Sequence, residues 1–259
     1  MRDGSVMSEE KTRINATLVA GGRYHDIDYA RLQLLTLLAE HPHVRVQVTS
    51  DYENTELITS SSFLVSYTCD LRPSEQAQQA ISDWVAGGGR WVALHGTNSA
   101  LDLPRPNGVE APRCFPVWAK TLGSQFVAHP PIQMYPVRAV SDHWLVNGIE
   151  SFDTDDELYL NEYHDRDQLQ PLLQTNWQGD ARGFNEHDWT TTDPNHLVSY
   201  LRPFGEGSVL YNTLGHCRGH YDMAPVAAYY PRIERCSWEV PQYHELLRRA
   251  IRWAMAETA

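Results

Sequence analysis

The chain has 259 residues, a length that suits one large α/β domain with a sizeable core better than two independent ones. Apolar residues make up 42% and charged residues 21%, ordinary globular usage that excludes wholesale disorder and fibrous repeats. Twenty-one basic against 33 acidic side chains leave a formal charge of −12, a repulsive balance toward nucleic acid and anionic membrane surfaces.

Cys69, Cys114, Cys217 and Cys236 are scattered, with no C-x-x-C pair, so a reducing, cytoplasmic location is expected. The first dozen residues carry no apolar signal core, and no later run approaches the roughly 18 apolar residues that span a bilayer. Residues 1–12 are expected to be disordered and 13–259 to form a single domain.

In chain order, Ile14 to Ala20 reads as a buried strand stopped by Gly21-Gly22. Asp28 to Glu40 carries Leu32, Leu34, Leu35, Leu37 and Leu38 on a broad helical face, and His41-Pro42 ends it. Strands are expected at Val44 to Val48 and Phe63 to Tyr67, then a helix capped by Ser74 and running to about Ala86. Gly87-Gly88-Gly89 closes that helix and launches strand Trp91 to Leu94.

This β-α-β-β-α-β order predicts a mostly parallel sheet with helices on both faces, which binds ligands beyond the carboxyl ends of its strands. The proline-rich stretch Leu103 to Pro116 is a loop able to overhang that edge. Between 124 and 200 the pattern is weak apart from a strand-like piece, Gln133 to Val140. A turn at Gly205-Glu206-Gly207 precedes strand Ser208 to Asn212, and His244 to Met255 forms a closing amphipathic helix.

His95 ends an apolar strand, which places its imidazole at the mouth of such a sheet. His129 and His216 also follow apolar segments, and imidazoles joined by a carboxylate are the ligand types of zinc and related divalent ions. Asp156, Glu157 and Tyr159 add two carboxylates and a phenol, a base and a proton donor. His25, in the loop after the first strand, faces the same edge and is a candidate substrate contact. His164 and His220 close no strand and read as surface residues. There is no H-E-x-x-H spacing, no G-x-G-x-x-G, no Walker A and no G-x-S-x-G, so a nucleotide cofactor and a serine nucleophile are not expected.

Four ordered blocks carry a family resemblance: Gly87-Gly88-Gly89-x-x-Val92-Ala93-Leu94-His95-Gly96, Phe126-x-x-His129-Pro130, Asp156-Glu157-x-Tyr159 and Gly205-x-Gly207-x-Val209-x-Tyr211-x-x-x-Gly215-His216. Together they resemble the ThuA-like (trehalose-utilisation) family. The resemblance implies a flavodoxin-like fold similar to class I glutamine amidotransferases, with a strand-end turn that holds a nucleophilic cysteine in those enzymes. Here that turn reads Leu94-His95-Gly96-Thr97, so glutamine hydrolysis through a thioester is not expected.

What the resemblance implies is a protein of carbohydrate catabolism acting on a sugar or keto-sugar derivative as an isomerase, lyase or hydrolase. Metal-assisted hydrolysis and a non-catalytic sugar-binding or regulatory module are the alternatives. The expected catalytic residues are His95, Glu157, Asp156 and Tyr159, with His25, Gly96 and Thr97 binding substrate. A divalent metal, zinc by ligand type, is expected on His95, His129 and His216. The expected partner is a small sugar-derived ligand, with no nucleic acid or membrane, and a homo-oligomer is left open.

Overall fold

The computed structural model describes residues 12–103 and 108–256. The expectation for the leading segment therefore falls, residue 12 apart, outside the described residues, as do Pro104 and Pro106 of the proline-rich loop.

The first half of the chain builds β1 (Ile14–Gly22), α1 (Ile27–Leu38), β2 (Val44–Thr49), α2 (Thr55–Thr59), β3 (Phe63–Cys69), α3 (Glu75–Ala86) and β4 (Arg90–Leu94). Side-chain caps start the helices: Asp26 accepts from the Tyr29 amide, Asn54 from Leu57 and Ser74 from Ala77, each filling one of the donors a first turn leaves unpaired. The short α2 interrupts the β-β step read from the sequence. Its presence follows from topology, because β2 and β3 both lie parallel to β1 and a parallel pair needs a crossover.

The second half adds α4 (Pro116–Leu122), β5 (Ser124–Ala128), β6 (Gln133–Ala139), β7 (Phe152–Asp156), β8 (Leu160–Tyr163), β9 (Gln170–Asn176), β10 (Asn195–Phe204), β11 (Gly207–Asn212) and α5 (Pro241–Ala254). Nine strands form one mixed sheet in the order β2-β1-β3-β4-β11-β10-β9-β6-β7. The first five are parallel. From β10 onward every pairing is antiparallel, so the sheet expected to be mostly parallel is mixed, with one half parallel and the other antiparallel. The switch of direction falls at the tight turn at Gly205, which returns β11 directly beside β10. β5 and β8 pair separately as an antiparallel ribbon.

Two apolar clusters hold these elements. Ala16, Leu18 and Ala20 of β1 join Leu34 and Leu37 of α1 and Leu247 and Ile251 of α5. Val19, from the alternate side of the same strand, joins Ile58 of α2, Ile81 of α3 and Trp118 of α4. Each such fully buried aliphatic side chain contributes roughly 1.5–3 kcal/mol relative to exposure.

Register positions the site. Gly22 lies opposite Cys69, Tyr67 opposite Leu94, and Leu94 opposite Asn212, so the carboxyl ends of β1, β3, β4 and β11 share one edge. Non-glycine residues with positive φ follow three of those ends: Tyr24 at 67°, Asp70 at 54° and His95 at 46°. This region is costly for side-chain-bearing residues, and its recurrence at one edge marks sharp strand-to-loop turns that aim side chains there.

Candidate functional site

His95 opens a single 3-10 turn after β4, and the turn can approach β3 only because the next residue is glycine. A Cβ at Gly96 would stand 2.6 Å from the Thr68 carbonyl oxygen and 2.8 Å from Cys69 Cβ. Thr97 is likewise buried, its hydroxyl donating to the Leu94 carbonyl at 2.7 Å. The structure thus gives Gly96 and Thr97, expected to touch substrate, the work of shaping the turn; neither lines the cavity described below.

Glu157 is the centre of the site. Its carboxylate is buried, with Oε2 3.5 Å from His95 Nε2 and 3.7 Å from His25 Nε2. Oε1 lies 3.1 Å from His216 Nδ1, 3.3 Å from an Arg218 guanidinium nitrogen and 3.6 Å from His129 Nε2. His25 Nε2 and His95 Nε2 are 2.8 Å apart, and the Tyr159 hydroxyl is 3.2 Å from His95 Nε2. His25, His95, His216 and Glu157 each offer a ligand atom, all within 4.8 Å of one another. His95, His216, Glu157 and Tyr159 therefore meet as residue types, His25 joins them from the loop after β1, and His129 stands at the rim.

Asp156 has a different place. Its Oδ1 accepts from the amides of Glu157 (2.8 Å) and His216 (3.1 Å), and its Oδ2 from those of Gly215 (3.0 Å) and Ser237 (3.4 Å). The carboxylate is fully buried and spent on these donors, so the structure makes Asp156 the clamp between the end of β7 and the His216 loop rather than a group free for proton transfer. Gly215 permits the clamp: its φ is +119°, and a Cβ would meet the Tyr243 hydroxyl at 2.5 Å.

Electrostatics divide the histidines. Burial lowers the His25 pKa to about 3 and also lowers that of His129, which keeps both rings neutral at physiological pH. Burial acts the same way on His216, but the adjacent Glu157 carboxylate and contacts with Glu157 and Glu234 outweigh it and raise the pKa to about 9. Glu157 is desolvated yet held well below the usual carboxylate range by His129 and His216. Burial pushes the Tyr159 phenol well up, leaving it a neutral O–H donor.

A cavity of about 490 Å³ opens beside this group, lined among others by His25, His129, Glu157, Tyr159, Phe126 and Phe184. Arg218, Tyr230 and Glu234 also line it, with an Arg218 guanidinium nitrogen 2.9 Å from the Glu234 carboxylate and the Tyr230 hydroxyl donating to that carboxylate at 2.8 Å. Tyr230, Glu234 and Phe184 were not singled out from sequence, and Arg218 stands in the segment Cys217-Arg218-Gly219-His220, which lies outside the family blocks and was expected to bear on substrate selectivity. The signal for Arg218 was its place two residues past His216 on the same strand-end loop. Phe184 had none, since it reaches the edge from the weakly patterned middle segment. His220 bonds the Tyr230 carbonyl at 2.7 Å, and neither it nor His164 belongs to the cluster. Cys69 also lines the cavity, but burial raises its thiol well above the ordinary range, the reverse of what an activated thiolate needs.

Fold and site together define an α/β protein with a histidine-and-glutamate centre at the carboxyl edge of its parallel strands. The chain belongs to the ThuA family, whose description is trehalose utilisation and whose model matches residues 15–230. No curated relative of similar sequence was found. Among solved structures it is similar to a ThuA-like protein of Bacteroides uniformis, at 15% identity and TM-score 0.66 over 98% of this chain and 96% of that one. A ThuA-like protein of Parabacteroides merdae follows at 13% identity and TM-score 0.60, covering 96% and 92%. A β-galactosidase of Rahnella sp. R3 matches at 16% identity and TM-score 0.53, over 94% of this chain but 31% of the enzyme. At these identities the likeness is one of fold. Among the described residues no helix is long and apolar enough to cross a membrane.

Proposed function

We propose that this cavity binds a sugar-derived carbonyl compound, a keto sugar or keto-glycoside, and moves a proton on it in a carbohydrate catabolic step. The observation that carries this reading is the buried Glu157 carboxylate ringed by four histidines at the wall of a cavity of small-molecule size. Phe126, Phe184 and Tyr159 supply aromatic faces for the C–H face of a sugar ring, and Arg218, Glu234 and His129 supply polar contacts for its hydroxyls.

The electrostatics redistribute the roles expected from sequence. A carboxylate held as low as Glu157 is a weak proton acceptor, so its task is to orient the rings around it. His129, neutral and at the cavity wall, is the base that takes the proton next to the keto group. The electron pair moves to the carbonyl oxygen, where the neutral Tyr159 hydroxyl donates. Return of the proton to the neighbouring carbon is isomerisation, and loss of a leaving group from the next carbon is elimination.

The fold that accompanies this reading is a single domain with helices covering both faces of the sheet, as in the flavodoxin-like and amidotransferase-like classes, supported by the two clusters fed by alternate sides of β1. Glutaminase activity is not part of it, because the strand-end position is His95 and the nearby Cys69 thiol is disfavoured as thiolate. A small-molecule rather than nucleic-acid partner fits the charge of −12, and a cytoplasmic location fits the four free cysteines.

The test is incubation with 3-keto-glucosides in deuterated water, followed by NMR. Deuterium at the carbon next to the carbonyl is expected, reduced by about 10²-fold or more in His129→Ala. Binding with no exchange would reject the catalytic reading in favour of a binding module, and incorporation of solvent oxygen across a cleaved bond would reassign it as a hydrolase.

A further inference from the structure

The hydrogen bonds on the outer nitrogens of the clustered histidines settle which inner nitrogens carry protons. His95 Nδ1 lies 2.7 Å from the Thr213 carbonyl oxygen and His25 Nδ1 lies 3.2 Å from that of Arg23. A carbonyl oxygen only accepts, so both Nδ1 atoms are N–H donors, and in neutral rings both Nε2 atoms present lone pairs. Those lone pairs face each other across 2.8 Å, with the Glu157 carboxylate 3.5 and 3.7 Å away. The Tyr159 hydroxyl can donate to His95 Nε2, which leaves that of His25 still turned toward it.

His216 repeats the pattern with its nitrogens exchanged. Its Nε2 sits 3.0 Å from Glu234 Oε2, so in the neutral ring the proton belongs there, and its fully buried Nδ1, 3.1 Å from Glu157 Oε1 but without a hydrogen bond, is the nitrogen left for a cation. Three imidazoles are thus each anchored through one nitrogen to a carbonyl or carboxylate and turn the other toward one point, where a carboxylate also waits. That is the outer-shell arrangement by which proteins fix the tautomer of metal-ligating histidines.

We propose that His25, His95, His216 and Glu157 form a divalent-cation site of the zinc type. The proposal deepens the reading of the same cavity, since Glu157 and His25 also line it, and a cation there would polarise the ligand's carbonyl oxygen as a Lewis acid. Charge fits once a cation displaces the second proton of His216: Glu157 and Glu234 against Arg218 then leave one negative charge in excess. Ligation needs the rings to shift: ligand atoms about 2.0–2.1 Å from a tetrahedral zinc stand roughly 3.3 Å apart, so His25 and His95, 2.8 Å apart, would separate by about half an ångström and the wider pairs, up to 4.8 Å, would draw in. The ligand set differs from the one expected from sequence, His25 taking the place of His129, whose Nε2 lies outside the group.

The test uses full-length protein made without a histidine tag, stripped with chelator and titrated with Zn²⁺ alone. About one equivalent per chain is expected, with His25→Ala and His216→Ala each weakening it by about 100-fold or more and His129→Ala retaining it. X-ray absorption of the zinc-loaded parent reads the ligands without relying on variants, and three imidazoles are expected. No stoichiometric uptake, uptake indifferent to His25 and His216, or a spectrum with fewer than two imidazoles would each overturn the site. Keto-glucoside binding is measured in parallel on the metal-free and the zinc-loaded protein: binding with no zinc uptake sinks the cation site and spares the ligand reading, whereas zinc uptake with no sugar binding by the zinc-loaded protein does the reverse.

Discussion

The two halves of the sheet contribute to the site in different ways. Along β2-β1-β3-β4-β11 the strands run parallel in aligned register, so His25, His95 and His216 arrive at one edge as a consequence of chain direction. The antiparallel half, β10-β9-β6-β7, brings no such row of strand ends. It supplies the central carboxylate from the end of its last strand, and Glu157 reaches the histidines because Asp156 grips the backbone of Gly215 and His216. In one half position follows from topology, and in the other it hangs on a single buried clamp.

The largest effect is expected where the parallel half is packed. Trp91 of β4 is fully buried against Tyr52 and Trp118, with its indole N–H donating to Ser66 at 2.8 Å. Trp91→Ala should cost about 3–5 kcal/mol in denaturant unfolding, while any folded fraction binds ligand with ordinary affinity. A folded variant that had lost its ligand affinity would break the comparison, because packing and site would then not be separable in that half.

Asp156→Ala comes next. It strands four buried amides, a cost of about 2–4 kcal/mol, and should weaken ligand binding disproportionately by releasing Glu157. Asp156→Asn keeps one acceptor oxygen and should recover part of both losses. Calorimetry on the alanine variant showing unchanged ligand affinity would mean that Glu157 is placed without the clamp.

The smallest effect is at the surface. Glu40 and Arg248 tie the loop after α1 to α5 through contacts of 2.9–3.0 Å, both side chains about two-fifths exposed. The Arg248 hydrogen bond lowers the Glu40 pKa, so the folded state gains from the pair above the ordinary carboxylate range and loses that gain as pH falls through it. Glu40→Gln should cost under about 1 kcal/mol at neutral pH, and less in acid or high salt. A larger loss in thermal melts would show that α1 and α5 are held together by charge rather than by the apolar cluster between them.

The sequence by itself determined the parallel half. Strands β1, β3 and β4, helix α3 with its Ser74 cap, and the strand-end placing of His95 and His216 are local: short apolar runs, capping residues and glycine turns specify them within a few residues. Only the tertiary structure decided the rest. α4, β5 and β7 to β10 are weakly patterned, and the strand pairings there join residues far apart, such as Asn195 with Asn176 and Gln133 with Asp156. The roles of neighbouring carboxylates were decided there too. Nothing local distinguishes Asp156 from Glu157, yet the alternation of a strand end turns one toward four backbone amides and the other toward four histidines. The choice of His25 over His129 at the centre has the same origin: both follow apolar strands, and the difference is that β1 lies within the parallel row while β5 pairs outside the main sheet.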